Sequence, residues 1–270
     1  MPRLVEVRRN VLKRNDELAR ALREKRPVAL ATLTAGPRPG AKLLVGLDGS
    51  VRGDLGDPDL NRVVARDARA ELESGLTGER HYGPQGQARQ DEITVFVESF
   101  APPPRMLIFG AVDFTAALVR VAKVLGYTVA VCDARRVFAT RARFPGADEV
   151  VNEWPEELLG RVGAELGPRD AVCVLTHDPK FDVPAIVAAL ATRVGYIGVM
   201  GSRRTHERRL VRLREEGVTD AQLVRVMAPI GLDIGARTPE ETAISICAEV
   251  IAARTGRRAG SLRDTGGPIH

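Results

Sequence analysis

The chain has 270 residues, 44% hydrophobic and 28% charged, the balance of a globular protein long enough for one large domain or two modest ones. Aromatic residues make up only 4%, which argues against a single-stranded nucleic-acid surface of stacked rings, and the formal charge of +5 favours anionic ligands only weakly. The three cysteines, Cys132, Cys173 and Cys247, have no metal-ligand spacing and read as small buried side chains. Residues 1–26 lack the apolar stretch of a signal peptide and no run is apolar and long enough to span a membrane, so a cytoplasmic location is expected.

In chain order, helical spacing over Val5 to Arg26 predicts a basic amphipathic helix against a core or another protein chain. Val28 to Thr34 and Ala41 to Leu47 read as strands around the turn-rich Gly36 to Gly40. Asp48-Gly49 turns into a short strand at Ser50 to Gly53, and Pro58 to Glu73 is a helix. Leu76 to Gln90 is polar and glycine-rich, a predicted loop, before a strand at Glu92 to Phe100. This is a small α+β domain over residues 1–101, closed by the stiff linker Pro102-Pro103-Pro104. From 105 to 254 the pattern alternates. Strands are expected at 105–110, 127–132, 148–151, 171–176 and 195–199, and helices near 113–125, 155–165, 183–191 and 202–216. That order implies a parallel sheet covered on both faces, hence an α/β fold. Thr219 to Met227 reads as a further helical piece. Thr238-Pro239-Glu240-Glu241 is a capped helix start running to about Ala253, and 255–270 is a flexible tail.

The second domain opens as a Rossmann unit: a buried strand, a glycine turn, a helix, and a second strand ending in Asp133. Yet Gly110-Ala111-Val112-Asp113-Phe114-Thr115 keeps only the first glycine of G-x-G-x-x-G. Backbone N–H groups of this turn are candidates to meet an anion, while Val112 and Asp113 disfavour an ordinary NAD pose. Asp133 stands where an acid grips a ribose diol, and Arg135 and Arg136 are placed to receive a phosphate instead. The 171–176 strand ends in Thr176-His177-Asp178. Histidine there suits phosphate, proton or metal chemistry, and Asp178 suits a cap. Gly201, Ser202, Arg203, Arg204 and Thr205 open a helix with positive side chains at its positive end, which calls for an anion. Gly231, Asp233 and Gly235 precede the last helix and complete the candidate set. Catalytic candidates are limited to Asp113 and His177, and no acid–base–nucleophile constellation is evident.

The segments PRMLIFG, VCDARRVFAT, VLTHDPKFDVP, GYIGVMGSRRTHERRL and PIGLDIGARTPEETAISICAEVIA resemble the XdhC/CoxI family of molybdenum-enzyme accessory proteins. The likeness is dense from about 104 to 254 and looser in the first domain, through ALATLT, RPGAKLLV and GSVRGDLG. The resemblance implies a cofactor chaperone rather than a turnover enzyme, one that binds molybdenum cofactor, as molybdopterin or its dinucleotide form. It implies an acceptor of the xanthine dehydrogenase or carbon monoxide dehydrogenase type, and a cofactor-sulfurating enzyme as a further partner. The phosphate is then expected near Gly110, Arg135 and Ser202 to Arg204, with Asp113 and His177 toward the pterin and Arg38 and Lys42 closing the cleft. A homodimer is the expected assembly. An NAD(P)-dependent oxidoreductase and a non-catalytic nucleotide-binding module are the alternatives. Two departures mark an atypical branch. Where members carry a G-G-G-C-type motif, this chain has Gly53-Asp54-Leu55-Gly56-Asp57-Pro58-Asp59, without the cysteine. Where many have G-A-G-H, it has Gly110-Ala111-Val112-Asp113.

Overall fold

The computed structural model describes residues 16–87, 90–264 and 266. Half of the expected Val5 to Arg26 helix, residues 5–15, lies outside the described residues; residues 16–23 are helical. The chain divides into two compact units between Pro102 and Pro103.

The first unit is a five-stranded antiparallel sheet in the order β3-β2-β1-β5-β4, made by β1 (Val28–Ala35), β2 (Lys42–Gly46), β3 (Val51–Gly53), β4 (Gly78–Tyr82) and β5 (Ile93–Phe100). The period of two in β1 sends Ala29, Ala31 and Leu33 to one face, against Leu60, Val64, Ala68 and Leu72 of α1 (Pro58–Ser74). Val28 and Leu30 go to the other face, with Leu44, Leu18 and Ala21. Strand β4 corrects the expected loop over 76–90. Only Tyr82 of it is buried, so this sheet-edge strand has no apolar alternation for sequence periodicity to detect. Its pairing with β5, Gly78 opposite Val97 and Tyr82 opposite Ile93, defines it.

The second unit is a six-stranded parallel sheet in the order β11-β10-β9-β6-β7-β8. Its strands are β6 (Arg105–Phe109), β7 (Thr128–Cys132), β8 (Glu149–Val151), β9 (Ala171–Val174), β10 (Tyr196–Val199) and β11 (Val226–Met227). Counted from β6, this is the doubly wound order 3-2-1-4-5-6. β9 and β10 are buried along their whole length, as strands covered on both faces must be. α2 (Asp113–Val124) and α7 (Pro239–Thr255) cover one face, through Leu118, Ala122, Ile246 and Val250. α3 (Pro155–Val162), α4 (Pro179–Leu190) and α5 (Arg203–Glu215) cover the other, through Leu158, Ile186 and Leu213.

Two sequence boundaries change. α4 begins at Pro179 rather than 183, because Asp178 caps it by accepting from the Lys180 N–H and Pro179 fits the first turn. Pro184 therefore sits inside the helix, where its missing N–H removes one bond. The expected helical piece over 219–227 is helical only in α6 (Asp220–Leu223). Val226 and Met227 instead extend the sheet beside β10.

Candidate functional site

Ligands of doubly wound sheets bind where strand order reverses, here between the tips of β6 and β9. In this chain those tips close on each other. Gly110 has φ +112°, and a Cβ on it would lie 2.8 Å from Thr176 Cγ2 and 3.1 Å from the Thr176 nitrogen. The glycine therefore answers a packing need at the strand crossing. The donors of the following turn are also engaged. The Gly110 N–H bonds Cys132 O at 2.9 Å, the Ala111 N–H bonds Asp133 Oδ2 at 2.8 Å, and the Val112 N–H meets Thr115 Oγ1 at 3.3 Å. The Thr115 hydroxyl donates in turn to Gly110 O. From outside, Arg143 Nη1 donates to Ala111 O at 3.0 Å.

Asp133, at the tip of β7, is buried and accepts four donors. Oδ1 takes the Arg135 N–H and Nε at 2.9 Å each, and Oδ2 takes the Ala111 N–H at 2.8 Å and Arg135 Nη2 at 2.7 Å. An ionised carboxylate has about four acceptor sites, so a ribose diol would have to displace Arg135. Burial raises the Asp133 pKa, but the Arg135 side chain and the two backbone donors outweigh it and hold the carboxyl below its ordinary value. Arg135 is further fixed by stacking 4.6 Å from the Phe138 ring centroid.

The open space lies one strand over, beyond β9 and β10. A cavity of about 480 Å³ is lined by His177, Asp182, Gly201, Ser202, Thr205, Arg208, Arg209 and Arg212, with Pro179. Ser202 caps α5, its Oγ accepting from the Thr205 N–H at 3.2 Å. Thr205, Arg208, Arg209 and Arg212 then follow at i, i+3, i+4 and i+7, one stripe of the helix turned to the cavity. Arg209 is 4% exposed. Its Nη2 donates to Asp182 Oδ2 at 2.7 Å and to Met200 O at 3.0 Å, while its Nη1 is buried without a hydrogen-bond partner. An orphaned buried donor costs on the order of 1–3 kcal/mol, more when charged. Asp182 is equally buried; burial pushes its carboxyl up, against the hydroxyl of Thr176 and the guanidinium of Arg209, both of which donate to it.

The residues singled out from sequence thus fall into three groups. Thr176, His177, Gly201, Ser202 and Thr205 meet at or beside this cavity. Gly110, Asp133 and Arg135 form the closed tips of β6 and β7. Asp113, Arg203, Arg204 and Asp233 are exposed and outside the lining; Asp113 is 4.0 Å from Arg143 Nη2. Sequence reading missed Asp182, Arg208, Arg209 and Arg212. The available signal was Leu213, four residues after Arg209 on the same inward face of α5.

Thiols take no part in the lining. Cys132, Cys173 and Cys247 are all buried, and burial pushes Cys132 and Cys247 up to about 12. At the position of the missing cysteine, Asp57 caps α1, accepting from the Asp59 and Leu60 N–H groups at 2.9 Å each. Asp54 holds Arg38 at 2.8 Å within the same unit. Among the described residues, no group of three metal-ligating side chains converges, and no helix is long and apolar enough to cross a membrane.

A doubly wound domain with closed tips at its reversal point and a basic cavity beside them defines a Rossmann-type domain of altered design. Family models identify that design: the XdhC Rossmann domain matches residues 106–250, and the XdhC and CoxI family matches residues 21–83. The chain belongs to the XdhC and CoxI family. It is 33% identical, over 61% of its length and 47% of the relative, to a Bacillus subtilis protein described as a probable xanthine dehydrogenase subunit. It is 28% identical, over 59% of its length and 43% of the relative, to the molybdenum cofactor insertion chaperone PaoD of Escherichia coli. The chain spans about half the length of the curated relatives it matches. A crystal structure described as a xanthine dehydrogenase from Bacillus halodurans shares the fold, with TM-score 0.53 and 21% identity, over 91% of this chain and 97% of that one.

Proposed function

We propose that the chain carries molybdenum cofactor as cargo, holds it in its Rossmann domain, and passes it to a molybdenum hydroxylase of the xanthine dehydrogenase or carbon monoxide dehydrogenase type. The observation that carries this reading is the arginine-lined cavity inside the segment matched by the family model. Its volume lies in the range of small-molecule sites. Its cations suit the phosphate of molybdopterin or the diphosphate of the dinucleotide form. Because all three thiols are buried, the chain grips its cargo by the anionic end and leaves the metal's coordination to the cargo itself. The relative named as an insertion chaperone supports the same reading. In this scheme the protein works in the cytoplasm as a homodimer and receives sulfurated cofactor from a sulfurating enzyme. The nicotinamide alternative has the engaged donors of Gly110 to Val112 and the four-fold occupied Asp133 against it.

The test is anaerobic incubation with isolated molybdenum cofactor, followed by gel filtration with metal and pterin fluorescence read on the protein peak. Wild type is run beside Arg208→Ala/Arg212→Ala, which alters two exposed side chains of the lining. Stoichiometric retention by wild type, weakened about tenfold or more in the double variant, is expected, the loss of roughly 1.4 kcal/mol. No retention by folded wild type overturns the proposal.

A further inference from the structure

We infer that the cavity beyond β9 and β10 contains a seat for a dianionic phosphate group, centred on the unpartnered Nη1 of Arg209. This rests on the carrier reading for the identity of the cargo, but the seat itself is argued from geometry alone.

Four observations converge. First, Arg209 is a buried cation lining a cavity, with one nitrogen of its fork unused. Buried donors in folded proteins are almost always satisfied, so this one points to a ligand the chain does not itself provide. Second, the fork is held in place from behind. Asp182 Oδ2 takes Nη2 at 2.7 Å, Met200 O takes the same nitrogen at 3.0 Å, and the Thr176 hydroxyl donates to the other oxygen of Asp182. Asp182 is therefore a positioning residue: it fixes Arg209 through one nitrogen and leaves the other without a protein acceptor. Third, the seat lies at the start of a thirteen-residue helix. Its cap Ser202 and its first-turn residue Thr205 both line the cavity, with Ser202 Oγ accepting from the Thr205 N–H. Gly201, at φ +144°, brings backbone close: a Cβ there would lie 3.5 Å from Arg209 Nη2.

Fourth, the charges select the ligand. Asp182 already balances Arg209, so the buried pair is neutral as a unit. Arg208 and Arg212, on the same stripe, bring two further positive charges to the rim. Two uncompensated charges match a phosphomonoester dianion better than a carboxylate. The seat therefore favours cargo with a phosphate end over cargo whose only charge is a carboxylate.

The experiment is isothermal titration of the full chain with inorganic phosphate and with acetate at matched ionic strength. It compares wild type, Arg209→Lys and Arg208→Ala/Arg212→Ala. Saturable phosphate binding by wild type, with acetate at least tenfold weaker, is expected. Arg209→Lys keeps the charge but loses the fork and is expected to weaken phosphate at least tenfold. Its fold is checked by circular dichroism. The double variant, altered only on exposed side chains, is expected to weaken phosphate with an unchanged urea midpoint. Absence of saturable phosphate binding by wild type overturns the seat, as does undiminished binding by folded Arg209→Lys or by the double variant. Cofactor retention on the same proteins separates the two readings. Phosphate binding without retention of cofactor overturns the carrier and leaves the seat. Cofactor retention in wild type without phosphate binding overturns the seat and leaves the carrier.

Discussion

Asp133 shows how one side chain can be kept from the task its position suggests. The residue at the end of the second strand is available to a ribose only if its oxygens are free, and here Arg135 and Ala111 take them. The same bonds make it a stability element with a defined pH signature. Its folded pKa is depressed, so the native state binds that proton less readily than the unfolded chain. The stabilisation is fully present above the unfolded carboxyl value of about 3.9 and is lost as pH falls through the folded value. Asp133→Asn is therefore expected to cost about 1–3 kcal/mol at neutral pH. The variant should also lose less of its remaining stability on acidification. Urea midpoints of both proteins from neutral pH downward check this, and parallel acid limbs would refute it.

At the scale of elements, helix caps carry much of what was legible in the residues. Thr238-Pro239-Glu240-Glu241 forms the expected reciprocal box, with the Thr238 hydroxyl accepting from the Glu241 N–H and Glu241 from the Thr238 N–H. Asp57 does the same kind of work at α1, so Asp57→Ala is expected to cost about 1 kcal/mol. A thermal midpoint unchanged by that substitution would show that α1 is held by its packing alone. The alternation of apolar runs and helices exposed the parallel sheet because each of its central strands is buried on both faces. β4 stayed hidden because an edge strand with one buried side chain leaves no period to read. The cavity-lining stripe was not legible for a related reason. Arg203 and Arg204 stand out as charges at a helix start, yet the turn of the helix carries 205, 208, 209 and 212 to the cavity wall. Arg209 hides among charged neighbours. The partner that explains it, Asp182, is 27 residues away, a pairing no local pattern encodes.

For the molecule as a whole, each unit closes its own sheet around its own core, and the division falls within the proline run. The chain has one tryptophan, Trp154, in the second unit. Its ring stacks on Phe181 at 4.8 Å, next in sequence to Asp182. Selective excitation of indole emission is therefore blind to the first unit and sensitive to the second. A chain of residues 103–264 expressed alone is expected to unfold in urea along the same tryptophan-detected curve as the full chain. A shift in midpoint would show that the first unit contributes to the second's stability. Trp154 is also 39% exposed, so its emission colour depends on local water. Phe181 ties that colour to the helix bearing Asp182, and Asp182 ties it to Arg209. The natural fluorophore of this protein thus stands two side chains from the cavity, and a shift of its emission on phosphate addition is the label-free signal expected if the seat fills.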